Sequence, residues 1–184
     1  MNLPFPKPYA DFVARLRVPC GFLLVAAFAW FSHPDARSLA YGLPVSILGL
    51  ALRGWAAGHL AKNQDLAMSG PYAFTRNPLY LGTLVVATGL AIGSRSAGLA
   101  ILFAAVFLLV YLPVIELEQQ HLRNLFPAYA AYAARVPMLR PRLAPAGPVR
   151  GFHWRLYLKN REYEAAAGFV AGALLLIWKA SAKL

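Results

Sequence analysis

Five apolar blocks, at about 12–31, 39–58, 79–93, 97–115 and 163–178, contain very few charged side chains. A helix of about 20 residues crosses the roughly 30 Å hydrocarbon layer of a bilayer. Chain inside that layer must satisfy its own backbone polar groups, which leaves helix as the form such blocks take. The pattern predicts an all-α fold, a polytopic membrane bundle of about five transmembrane helices. Composition agrees, because charged residues make up 14% of the chain where a soluble domain carries about 25%. At 59% apolar residues over 184 positions, a single water-facing core is excluded, and residues 1–184 read as one integral membrane domain.

The net charge of +11 would suggest nucleic acid in a soluble protein. In a membrane protein it is a statement about topology, because Lys and Arg collect on the cytoplasmic side. With the N-terminus inside, fourteen basic residues fall on the cytoplasmic face and only Arg37, Arg95, Lys179 and Lys183 outside. The expectation is therefore a cytoplasmic N-terminus, a site on the cytoplasmic face and no nucleic-acid partner. The first block resembles a signal peptide, but its Pro-rich leader is long and no small-residue cleavage site follows, so it reads as retained.

Several chemistries are excluded. Cys20 is the single cysteine, which rules out an intramolecular disulfide and a Cys-rich zinc site and leaves a packing role. No G-x-G occurs, so neither a Rossmann fingerprint nor a Walker loop is available. His33, His59, His121 and His153 lack metal-ligand spacing, and no metal is expected. Serine-nucleophile motifs of the G-x-S-x-G type are also missing.

Ser94, Arg95 and Ser96 leave room only for a tight turn, so the third and fourth blocks form a helical hairpin. Glycines four apart, at 54/58, 89/93 and 168/172, have the spacing that lets membrane helices approach closely. Two stretches remain on the cytoplasmic side, 60–78 and 116–161, and polar groups near hydrocarbon mark functional candidates. The first contains Gly70-Pro71, a turn signal, and Asn77, which Pro78 pushes toward extended geometry before the first turn of the third span. A helix N-terminus beside Arg76 is a ready site for a carboxylate or phosphate; a snorkelling arginine and a capped helix start is the plainer alternative.

Glu116 and Glu118 follow the apolar run from 99 to 115. A carboxylate at that end of a helix is disfavoured by the helix dipole, so a partner is expected. Arg76 and Glu116 lie on the same membrane face, which leaves open an ion pair or a shared ligand. Next come Leu122, Leu125, Phe126, Tyr129, Tyr132 and Val136 at helical period, broken or restarted at Pro127. That stripe either packs, lies at the interface, or folds back as a lid. Residues 137–148, rich in proline, read as a linker. The basic and aromatic segment 152–161 suits anionic headgroups or serves as a juxtamembrane anchor, and 150–184 forms a C-terminal basic segment with the last span.

Gly70-Pro71-Tyr72, then Thr75-Arg76-Asn77-Pro78-Leu79-Tyr80-Leu81-Gly82, an apolar hairpin, Glu116-x-Glu118 and Phe126-x-x-Tyr129-x-x-Tyr132 ending at Val136-Pro137 resemble a known group. It is the membrane methyltransferases related to isoprenylcysteine carboxyl methyltransferase and the phospholipid methyltransferases. The likeness covers a core of about 53–141. It implies S-adenosylmethionine as cofactor, a site following the hairpin, and a lipidic or small apolar acceptor entering from the bilayer. Eukaryotic members usually have His where Asn77 stands, so a proton-transfer role at that position and the substrate do not carry over.

Methyl transfer from a sulfonium is an in-line displacement that depends on alignment more than on a nucleophilic side chain. By the resemblance, Arg76 and the N–H groups of the stretch from Asn77 through Pro78 to Tyr80, to which Pro78 itself contributes none, hold the cofactor carboxylate, with Gly70 and Pro71 shaping the turn. Glu116 engages the ammonium or the ribose, or orients the acceptor; Arg76 and Glu116 are the catalytic candidates. Tyr72, Tyr80, Tyr129 and Tyr132 wall the adenine and sulfonium, since aromatic faces favour cations. His59 and His121 are secondary candidates. The alternatives are a phospholipid or amine N-methyltransferase, in which Glu116 gains a base role, and a noncatalytic lipid-binding scaffold. A transporter fits least, because the spans show no inverted repeat. Neither the acceptor atom nor the oligomeric state is legible.

Overall fold

The computed structural model describes residues 5–148 and 150–182; Lys183, counted above with the outer basic residues, lies outside them. The described residues are helical, with no strand among them. The helices are α1 (Lys7–Phe31), α2 (Ala36–Ala57), α3 (Pro78–Ser94), α4 (Ala97–Leu125), α5 (Tyr129–Arg135), α6 (Trp154–Lys159) and α7 (Glu162–Ser181), with a 3-10 turn at Gly70–Ala73. Among the described residues α1, α2, α4 and α7 are long and apolar enough to cross a membrane, and α3 is a shorter apolar helix of 17 residues. At 1.5 Å per residue α3 is about 26 Å long, just short of the hydrocarbon thickness. Phe22, Leu23, Trp30, Ile101, Leu174 and Trp178 are exposed, as lipid-facing side chains are.

The chain divides into two compact units. One comprises Met1–Leu43, Ala87–His121 and Gly172–Leu184. Here α1 packs along the first part of α4. α4 is a single helix interrupted by a π turn at Phe107–Tyr111. Pro113 has no N–H to give the carbonyl of Leu109 four residues back, and the Tyr9 hydroxyl of α1 donates to that carbonyl at 2.7 Å. Glu116 therefore sits inside a helix that runs on to Leu125, not at a helix end, and the dipole argument for its needing a partner does not apply.

The ends of α1 and α2 are closed by side chains. Lys179 donates to the carbonyls of Ala29 (2.9 Å) and Trp30 (3.3 Å) and to the Ser32 hydroxyl (3.1 Å), satisfying acceptors that a helix C-terminus leaves open. Asp35 caps α2: the Ser38 N–H donates to its Oδ1 at 2.7 Å while the Asp35 N–H donates to the Ser38 hydroxyl at 3.1 Å, a reciprocal cap. Arg95, in the left-handed region at φ 54° between α3 and α4, pairs with the same aspartate. The Ser38 N–H and, against some opposing burial, the Arg95 charge hold the Asp35 carboxyl below its ordinary value.

The other unit comprises Pro44–Val86 and Leu122–Ala171. Its core is Tyr129, Tyr132 and Val136, packed with Leu66, Met68, Leu122, Phe126, Ala133 and Ala146. The periodic stripe after Glu118 is therefore packing in its buried part, while Leu125 stays exposed.

Close helix approach occurs partly away from the four-residue glycine pairs. In the first unit a Cβ on Gly42 would collide with the backbone of Gly89 and Gly93. In the second, one on Gly49 would meet the Val86 nitrogen at 2.6 Å and the Gly82 carbonyl at 2.7 Å. Cβ atoms on Gly168 and Gly172 would meet nothing within 4 Å.

Candidate functional site

The second unit brings most of the sequence-selected residues together around 69–78. Gly70 has φ +55°, and a Cβ there would lie 2.6 Å from the His59 ring, so both backbone and space require glycine. Pro71 sits in the first turn of the 3-10 segment, and Pro71, Tyr72, Thr75 and Pro78 are buried. His59 is itself buried, with Nδ1 2.9 Å from the Trp55 carbonyl and Nε2 3.1 Å from the Arg150 carbonyl. It braces the turn from beneath. His121, in the other unit, is exposed.

The expected linker at 137–148 is instead a strap docked on this segment. The Arg76 N–H donates to the Pro137 carbonyl (2.9 Å), and the Thr75 hydroxyl (2.9 Å) and Asn77 amide (3.1 Å) both donate to the Met138 carbonyl. In return the Arg142 N–H reaches the Phe74 carbonyl (3.0 Å) and the Ala146 N–H the Ala73 carbonyl (2.9 Å). Prolines donate nothing but accept normally, and the residues between them supply the donors. The Tyr132 hydroxyl adds a bond to the Tyr72 carbonyl at 2.7 Å.

Against this bonded background, three buried side-chain atoms among the described residues lack a hydrogen-bond partner: Arg76 Nε, Glu116 Oε2 and the Tyr129 hydroxyl. Arg76 and Tyr129 belong to the same unit. The Arg76 guanidinium lies close enough for its charge to reach the Tyr129 phenol, without an aligned bond to the hydroxyl. Burial pushes both the Tyr129 and Tyr132 phenols up, with the Arg76 charge opposing, so both stay protonated near neutral pH; the Tyr132 proton is committed to the Tyr72 carbonyl and that of Tyr129 is free to be donated. Glu116 belongs to the other unit, and neither it nor Arg76 is in an ion pair among the described residues. Glu118 pairs instead with Arg17 at 3.8 Å. Tyr80 lies half-buried in the first turn of α3.

Buried polar groups are nearly always bonded, and each exception calls for a physical reason. A guanidinium nitrogen without a partner, beside the protonated Tyr129 phenol, can hold an anionic group and the phenol can donate a further bond to it.

Sequence reasoning missed Arg53 and Glu162. Arg53 Nε and Nη2 bond the two Glu162 oxygens at 2.5 and 3.0 Å, and Nη1 bonds the Thr83 hydroxyl at 2.5 Å. One arginine inside an apolar block and one acid at the start of another was the available signal, since neither is affordable in hydrocarbon alone.

A family model described as phospholipid methyltransferase matches residues 43–129. The cobalt-zinc-cadmium resistance protein CzcN of Cupriavidus metallidurans is 37% identical over 108 residues, covering 55% of this chain and 50% of that protein. The nickel-cobalt-cadmium resistance protein NccN of Alcaligenes xylosoxydans is 32% identical over 151 residues, covering 76% of this chain and 71% of that protein. The chain thus spans about half the length of the first relative. No solved structure matches the chain. With the spans at the expected positions, the family match across the motif and a relative aligned over most of both chains, this protein belongs to the phospholipid methyltransferase family of integral membrane methyltransferases.

Proposed function

We propose that this protein transfers a methyl group from S-adenosylmethionine to a lipidic or small apolar acceptor at the membrane, with the site on the cytoplasmic face. The reading is carried by the buried, unpartnered Arg76 Nε beside the Tyr129 hydroxyl, a donor set that fits an amino-acid carboxylate. When bound, the cofactor supplies an electrophilic methyl group. Arg76 and the Tyr129 phenol fix the anionic end, Tyr132 holds the turn through the Tyr72 carbonyl, Gly70 and Pro71 set the turn, and the strap excludes water from behind it. Asn77 contributes by anchoring the strap through Met138. Glu116 belongs to the other unit; its proposed role, with the cofactor's ammonium or ribose or with the acceptor, rests on the sequence resemblance, and its buried oxygen is also unpartnered.

The phospholipid methyltransferase match favours one second reading, an amine headgroup acceptor, in which Glu116 takes the proton that the attacking nitrogen loses. The relatives' names concern metal resistance; a link of this chain to such resistance is proposed to run through a methylated membrane component.

The test is calorimetric titration of S-adenosylmethionine and S-adenosylhomocysteine into detergent-purified protein and its Arg76→Ala and Glu116→Ala variants. Saturable binding, weakened at least roughly tenfold in each variant as loss of a bond to a charged group implies, supports the site. Unchanged binding in both variants sinks it, and no binding to folded wild type favours a scaffold.

A further inference from the structure

The strap walls an open cavity in the same unit, of about 520 Å³, lined by Met68, Arg135, Arg142, Pro145 and Pro148 among others, with both arginines exposed at its mouth. None of the residues assigned to methyl transfer lines it. Arg142 Nη1 donates to the Arg135 carbonyl at 2.6 Å and Arg135 Nε to the Ala131 carbonyl at 3.3 Å, which orients both guanidinium groups while leaving other N–H donors of each. Neither arginine is in an ion pair among the described residues, and no Asp or Glu occurs from 119 to 161. Gly147 keeps the wall in place, because a Cβ there would collide with the Met68 carbonyl.

We infer that this cavity binds a phosphate group, presented by an anionic phospholipid or by a soluble phosphate compound. A guanidinium carries a planar set of N–H donors that suits phosphate oxygens, two such groups line this one cavity, and its volume falls within the range of small-ligand sites. Methionine and proline around the arginines provide apolar contact for the carbon skeleton that carries the phosphate. Leu143, next to Arg142, is fully exposed at 105%, a side chain suited to acyl chains and favouring the lipid source. The inference stands without the methyl-transfer reading. Its consequence reaches that site, because Arg142 and Ala146 bond the backbone at Phe74 and Ala73, so occupancy would hold the strap on the motif.

The test is native mass spectrometry of the full chain from nanodiscs containing phosphatidylglycerol and phosphatidylcholine, with thermal unfolding in detergent as a function of inorganic phosphate. The expected result is retention of phosphatidylglycerol over phosphatidylcholine by about tenfold, because choline sets a positive charge beside the phosphate and against the two guanidinium groups. Arg135→Gln/Arg142→Gln should abolish it, and Lys62→Gln/Arg140→Gln, which removes equal charge elsewhere, should preserve it. Should lipid preference be absent while inorganic phosphate raises the unfolding midpoint of wild type and not of the first variant, the source is soluble and the site stands. Equal loss in both double variants, retention in the first, or no effect of either probe overturns the site. Arg135→Gln alone, which keeps the Arg142 bond to the residue-135 carbonyl, serves if the double variant does not fold.

Discussion

Arg53 and Arg76 are partly buried arginines in the same unit, and they are used in opposite ways. Arg53 engages both oxygens of Glu162 and the Thr83 hydroxyl, tying α2 to α3 and α7. Arg76 holds its strap through its backbone N–H, yet its Nε is buried without a partner. The contrast separates two reasons for keeping a charge near hydrocarbon. A guanidinium whose donors are matched within the fold fastens helices, whereas one that keeps a desolvated donor unmatched holds interaction free energy in reserve for a ligand.

The largest effect that could break this contrast is at Arg53. Arg53→Ala leaves Glu162, whose side chain is only 10% exposed, without a counter-ion, and unfolding in detergent should show a loss of about 3–5 kcal/mol. A loss under about 1 kcal/mol would put the pair in the class of surface ion pairs and erase the distinction. Arg76→Ala should do the reverse, weakening cofactor binding by about 1.5–3 kcal/mol with a thermal midpoint close to wild type. A large drop in midpoint would make Arg76 a fastener too.

Tyr132→Phe tests whether the strap and turn are held independently of Arg76. Removing its bond to the Tyr72 carbonyl should cost about 1–2 kcal/mol of stability and change cofactor affinity less than Arg76→Ala does. The smallest effect belongs to the first unit. The Asp35 carboxyl is held below its ordinary value by the Ser38 N–H and by Arg95, so its cap on α2 contributes fully above that value and fades as pH falls through the lowered one. Asp35→Asn should flatten the acid limb of a midpoint-versus-pH curve, and an unchanged curve would remove Asp35 from it.

The spans were legible because hydrocarbon imposes length and apolarity directly on sequence. The turn was legible at Gly70-Pro71 and Asn77-Pro78, where backbone restrictions are local. Contacts between distant residues were not. Arg53 and Glu162 lie 109 positions apart, and pairing at that separation leaves no periodic trace. Proline content at 137–148 suggested a linker because proline removes donors, but its carbonyls are as good as any, and the strap is built on them. The continuity of α4 through Pro113 and Glu116 was hidden for a related reason: a π turn absorbs the break, and a carboxylate read as marking a helix end sits in mid-helix. Of the site residues, Arg76, Tyr129 and Tyr132 gather in one unit as the motif order suggested, whereas Asn77 proved to be occupied with the strap.

The π turn of α4 also has a consequence in time. The Leu109 carbonyl accepts from Tyr9, a residue synthesised 100 positions earlier. During biosynthesis α1 is made before this acceptor exists, and the bond forms only after residue 109 has followed. The proline inside α4 thus leaves a carbonyl through which the register of α1 on α4 depends on a residue made long after α1.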